Sequence, residues 1–152
     1  IPRYGAQVAP IDFKYMKSVF EVDRQLEGFA ARLAAERMTD EKIADMEAII
    51  ERLKSLDIEK EYKQMIIEDE KFHEIIFKSS GNPCLVDILD DLHMHTERLW
   101  FYVQKDITDA NLFLDTMPQI VQAIKEKDAD RAEQGAQRHI DVFVERIKQE
   151  LL

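Results

Sequence analysis

The sequence predicts an all-α fold, a single antiparallel bundle of about six helices, and three observations predict it. Apolar residues recur with the 3.6-residue period of amphipathic helix through most of the 152 residues. Glycine and proline number only four each, too few for the many turns of an all-β chain. Hydrophobic residues make up 45% and charged residues 34%, as expected of long helices with one buried and one solvated face. The length suits one domain.

Residues 1–10 lack the helical period and read as an extended tail, with Pro10 before the first helix. That helix is expected over 12–37, with Val19, Val22, Leu26, Phe29, Ala30 and Leu33 on one face. Thr39 is a good N-cap, and Asp40 and Glu41 follow at the positive end of the helix dipole. The second helix carries Ile43, Met46, Ile49, Ile50 and Leu53. The third runs from about 60 to 79 with Met65, Phe72 and Ile76 inward. Gly81 suits a left-handed C-terminal cap, Asn82 the next N-cap and Pro83 the first helical position. The fourth helix covers 83–105 on a stripe of Leu85, Leu89, Leu92, Leu99 and Val103. The fifth lies within 109–127, where Pro118 should kink it or restart it near Thr116. Asp128 caps the sixth, over 129–150, which buries Ala132, Ala136, Ile140, Phe143 and Ile147.

With 31 acidic and 21 basic residues the net charge is −10, which argues against a nucleic-acid surface on this chain. No apolar run reaches the length of a membrane span, so no membrane partner is expected. The single cysteine, Cys84, forbids an intrachain disulfide, fits a cytoplasmic setting, and reads as a small core residue.

Several polar residues fall on apolar faces. With Met65 as zero on the third helix, Asp69 projects at about 40° and His73 at about 80°, stacked four residues apart. A buried carboxylate needs a cation or hydrogen-bond donors. Two readings are open, a satisfied Asp–His pair in the core and a metal or ligand site. His139 lies about 50° from the centre of its stripe, and two buried histidines with a buried aspartate favour a shared site. Thr96 is central in the fourth helix's stripe, either bonded back to its own helix or lining a pocket. His93 and His95 flank it and read as boundary residues, His95 also as a candidate effector contact. Glu70-x-x-His73 matches one element of a di-iron bundle, but the second element has the wrong acid at Asp90 and Glu70 lies off the core face. No nucleophile–base constellation, phosphate-binding Gly-rich loop or zincin motif is present.

The run Leu26-Glu27-Gly28-Phe29-Ala30-Ala31-Arg32-Leu33-Ala34-Ala35 resembles the opening helix of the FadR-type C-terminal domain of GntR-superfamily transcription regulators. Asp69-Glu70-Lys71-Phe72-His73, followed by Ser80-Gly81-Asn82-Pro83, is similar to that family's Asp-x-x-Phe-His … Ser-Gly-Asn signature, and 120–140 resembles its closing pair of helices. The resemblance implies an effector-binding domain over 11–152 that forms a homodimer. DNA would be bound only through an N-terminal winged helix-turn-helix domain, of which 1–10 would be the end. The start at Ile1 rather than Met fits that reading. The resemblance also implies a divalent metal, Zn²⁺ or Ni²⁺, that helps bind a small carboxylate effector. Asp69, His73 and His139 match three of its ligands. The fourth, a histidine in the family, is here Met117, a soft and weak ligand. Met117 is expected to face the cavity. Asp23 stands where many members place an effector-binding arginine; Asp23, Thr96, His95 and Met117 are the expected effector contacts, and the effector is expected to be neutral, zwitterionic or cationic, or else an acid bound through a metal with Asp23 turned to solvent. A metal-dependent helical-bundle enzyme using Asp69, His73 and His139 is the alternative.

Overall fold

The computed structural model describes residues 9–103 and 109–151, without the side chains of residues 150 and 151. The expected tail at 1–10 falls almost wholly outside them. Seven helices follow in order among the described residues: α1 (Phe13–Arg37), α2 (Asp40–Ser55), α3 (Ile58–Ser79), α4 (Pro83–Val103), α5 (Asn111–Leu114), α6 (Met117–Lys125) and α7 (Ala129–Leu151). The expected fifth helix is therefore two. Its restart at Met117, with Pro118 in the first turn, puts proline where its missing N–H removes no bond.

The ends are set by local chemistry. Asp12, Thr39 and Asp57 accept backbone N–H groups at the starts of α1, α2 and α3. Gly81 takes φ of +64°, the left-handed conformation that closes α3. Asn82 Oδ1 accepts from the Leu85 N–H, and Asp128 Oδ1 from the Arg131 N–H.

One apolar core runs through the bundle, with Phe72, Phe77, Phe113, Leu89, Leu99 and Met117 almost fully buried. Burying each such side chain contributes roughly 1.5–3 kcal/mol. Helix α1 presents Ala30, Ala31, Ala34 and Ala35 to the interior, all buried. Small side chains let α1 approach α7 closely: a methyl added at Gly28 would lie 3.0 Å from Gln137 Cγ. This turns α1 away from the expected stripe. Val22 and Phe29 are exposed, while Asp23 and Glu27 point inward beside Phe20. Cys84 is exposed, contrary to its expected place in the core, because it sits in the first turn of α4 on the side away from Leu85.

Candidate functional site

Four helices meet at a polar cavity inside an otherwise apolar bundle. It is lined by Asp23 and Glu27 of α1, Asp69, Glu70 and His73 of α3, His93 and Thr96 of α4, and His139 of α7, with Phe20, Trp100, Ile140 and Phe143 as apolar wall. Its free volume is about 20 Å³, too small for a metabolite.

The three histidines are held alike. His73 Nδ1 lies 2.8 Å from Glu27 Oε2, and its Nε2 lies 3.5 Å from Asp69 Oδ2. His139 Nδ1 lies 2.6 Å from Thr116 Oγ1, and its Nε2 lies 3.3 Å from Asp69 Oδ1. His93 Nδ1 lies 3.1 Å from Glu70 Oε2, and its Nε2 lies 2.5 Å from Glu27 Oε1. In each ring Nδ1 is fixed by an outer oxygen while Nε2 points at a buried carboxylate, the arrangement in which proteins orient metal-binding histidines. Two sets of donor atoms converge to within 4.8 Å of one another: Asp69, His73 and His139, and Glu27, His73 and His93.

The electrostatics follow from burial against pairing. Burial pushes the Asp23 carboxyl up to about 8, and Glu27 adds to it while His93 and His73 oppose. Burial also works against the ionised Glu27, but His73 and His93 overcome it and hold that carboxyl well below the usual range. Asp69 is depressed in the same way, against burial, by His73 and His139. Burial disfavours a charged His73, yet Glu27 and Asp69 raise it well above its ordinary value. His93 is raised to about 10, against burial, chiefly by Glu27.

Of the residues expected from the sequence, Asp69, His73 and His139 do come together, and Asp23 and Thr96 line the same cavity. Thr96 also donates to the His93 carbonyl at 3.1 Å, so both of its readings hold. Met117 is fully buried but does not line the cavity. The break before α6 presents its neighbour Thr116 to His139 instead. His95 lies outside the cavity and meets the edge of the exposed Tyr15 ring, 5.7 Å between centroids. The sequence reading missed Glu27, Glu70 and His93. Glu27 was hidden because the buried face of α1 was centred on Val22 and Phe29. Glu70, though half-exposed, reaches His93 from the rim. Among the described residues no arginine or lysine lines the cavity. Arg24 pairs with Asp141, and Arg98 donates to the Ala9 carbonyl.

An all-helical bundle with an inward-facing polar cavity can hold an ion or ligand contact between its helices. The chain matches the FCD domain over residues 18–142 and belongs to that family. It is thus an effector-binding regulatory domain of the kind found in GntR-type regulators. Its fold is that of McbR/YncC from E. coli, at a TM-score of 0.87 and 19% identity, over 95% of this chain and 69% of that one. It is also similar to a GntR protein from Streptococcus agalactiae, at a TM-score of 0.70 and 21% identity, over 89% of this chain and 59% of that one. No curated protein sequence matches the chain. These likenesses give the enzyme alternative no support. No helix among the described residues is long and apolar enough to cross a membrane.

Proposed function

We propose that this domain senses a small molecule with the help of a divalent cation held by Asp69 Oδ1 or Oδ2, His73 Nε2 and His139 Nε2. The observation that carries this reading is the convergence of those three buried donors, whose outer ring nitrogens are already fixed by Glu27 and Thr116. Three protein ligands leave coordination positions open, so an effector oxygen or nitrogen can complete the shell. Zn²⁺ and Ni²⁺ both suit imidazole with carboxylate.

The cavity itself is too small for an organic effector. A groove of about 380 Å³ between α3 and α4 adjoins it through Glu70 and His93, within the range of small-ligand sites. Its charged walls are Glu70, Glu74, Asp90 and Glu97 against Lys71 and Lys78, an acidic surplus. A cationic or zwitterionic effector fits that surplus better than a simple carboxylate. In the intact regulator the domain would act in the cytoplasm as a homodimer. Its occupied and empty states would then differ in how they space two DNA-binding domains. The chain's own charge of −10 leaves DNA contact to another domain.

A thermal-shift screen of amines, amino acids and carboxylic acids, run with and without Zn²⁺ or Ni²⁺, tests the reading. The expected result is a metal-dependent rise in Tm for amines or amino acids that His139→Gln removes. Equal stabilisation of wild type and His139→Gln, with or without metal, would overturn it.

A further inference from the structure

Beside the second donor set the cavity holds an unexplained feature. Both carboxylate oxygens of Asp23 are buried without any hydrogen-bond partner, although the residue is only 1% exposed and lines the cavity. Such a group costs several kcal/mol unless something pairs with it. His93 Nε2 stands 3.9 Å from Asp23 Oδ1, too far for a hydrogen bond, and the neighbouring Glu27 is itself a carboxylate. That nitrogen is already directed at Glu27 Oε1, 2.5 Å away. Protonating His93 therefore accounts for Glu27 and Glu70, so without an ion Asp23 must carry a proton of its own.

We infer that Asp23, Glu27 Oε1 and His93 Nε2 form a second divalent-cation site in the same cavity, separate from the Asp69–His73–His139 set. Donor atoms sharing one ion at about 2.0–2.2 Å lie roughly 3–3.5 Å apart, between the 2.5 and 3.9 Å separations found around His93 Nε2. Two carboxylates balance the charge of a dication, so the filled site is neutral in a buried setting. His93 is prepared as a ligand: with Nδ1–H donated to Glu70 Oε2, its neutral ring leaves the Nε2 lone pair free. Glu27 links the two sites, since its other oxygen accepts from His73 Nδ1. A free volume of about 20 Å³ favours a bare or singly hydrated ion over an organic ammonium group. Ion binding displaces the proton from His93 and releases it to solvent.

The test is a metal count on the chelator-stripped 152-residue chain titrated with Co²⁺ and with Zn²⁺, read by native mass spectrometry and by calorimetry. Wild type should bind two ions. His93→Gln and the isosteric Asp23→Asn should each lose one, with affinity at that site falling at least about tenfold. His139→Gln should lose the other. Circular dichroism confirms that each variant remains helical, and Asp23→Asn decides the matter should His93→Gln fail to fold. Wild-type stoichiometry and affinity in Asp23→Asn would overturn the inference, as would a single ion lost in His139→Gln and kept in His93→Gln, or no ion bound by wild type. Loss of an ion in His93→Gln alongside full retention in His139→Gln would sustain this site and refute the Asp69-based one.

Discussion

Replacing Asp23 by Asn should stabilise the metal-free domain at neutral pH. In the fold the Asp23 carboxyl is pushed up to about 8 from an ordinary 3.8, first by burial and then by Glu27. A carboxyl whose pKa is raised on folding costs nothing below its unfolded pKa. The cost then grows with pH through the interval between the two values and levels off above the folded one. Each pH unit in that interval is worth about 1.36 kcal/mol, so the penalty at pH 7 is on the order of 4 kcal/mol. Asparagine keeps the shape, carries no charge and can donate to Glu27, but its second amide hydrogen must also find an acceptor. That offset leaves an expected gain of roughly 2–3 kcal/mol at pH 7. Urea unfolding in excess chelator at pH 5, 6, 7 and 8 measures it. The advantage of Asp23→Asn should be small at pH 5, widen steadily to pH 8, and flatten beyond. His93, raised to about 10, loses its own stabilising contribution as pH rises from 6.5 through 10, in wild type and variant alike, so it largely cancels in the difference. A difference that does not change with pH, or a wild type more stable than the variant at pH 8, would refute the reasoning. Saturating Zn²⁺ should reverse the order, because the ion stabilises only the chain that binds it well.

Two further outcomes are expected from the same geometry. Thr116→Val removes the hydroxyl 2.6 Å from His139 Nδ1 and should weaken the ion held by Asp69, His73 and His139 by about 10–100-fold, while the circular dichroism spectrum stays unchanged; calorimetric titration reads it. Glu68, buried on α3, bonds Arg52 of α2 at 3.0 Å and Lys71 at 3.2 Å, which hold its carboxyl below the usual range against burial. Glu68→Gln should cost about 1–2 kcal/mol at pH 7 in urea unfolding. The cost should vanish as the pH falls through the depressed pKa of Glu68, where wild type loses the same bonds.

Helix positions and ends were largely legible in the sequence because they rest on local rules. Thr39, Gly81, Asn82, Pro83 and Asp128 act through residues within four positions of themselves. The Asp69–His73 pair was legible for the same reason, being one turn apart on a strongly periodic helix. What local periodicity cannot convey is which side of a helix another helix selects. On α1 the larger residues Val22 and Phe29 suggested one buried face, but close packing against α7 selected the alanine face and carried Asp23 and Glu27 inward with it. His93 was missed through the same gap. Its place at the edge of the α4 stripe is a boundary position until α1 and α3 bring Glu27 and Glu70 to both of its ring nitrogens.

That rotation of α1 shapes what the cavity can report. Asp69 bridges His73 and His139 on one side, whereas Asp23, Glu27 and Glu70 surround His93 on the other. With neutral histidines the four carboxylates would leave four uncompensated negative charges, so the metal-free cavity must take up protons. It does so on His73, His93 and Asp23, the groups whose pKa values are raised. A dication replaces some of those protons without needing more room, and it bonds carboxylates and rings from α1, α3, α4 and α7 at shorter distances than hydrogen bonds allow. Filling the cavity would therefore change the spacing of α1 and α4, since Glu27 Oε1 and His93 Nε2, 2.5 Å apart without an ion, must separate to roughly 3–3.5 Å around one. Helix α1 is the element next to residues 1–10, so a domain joined there would feel that change first. A ligand that adds to or removes the ion's coordination acts on the same helices, through differential contact with two packings of one bundle.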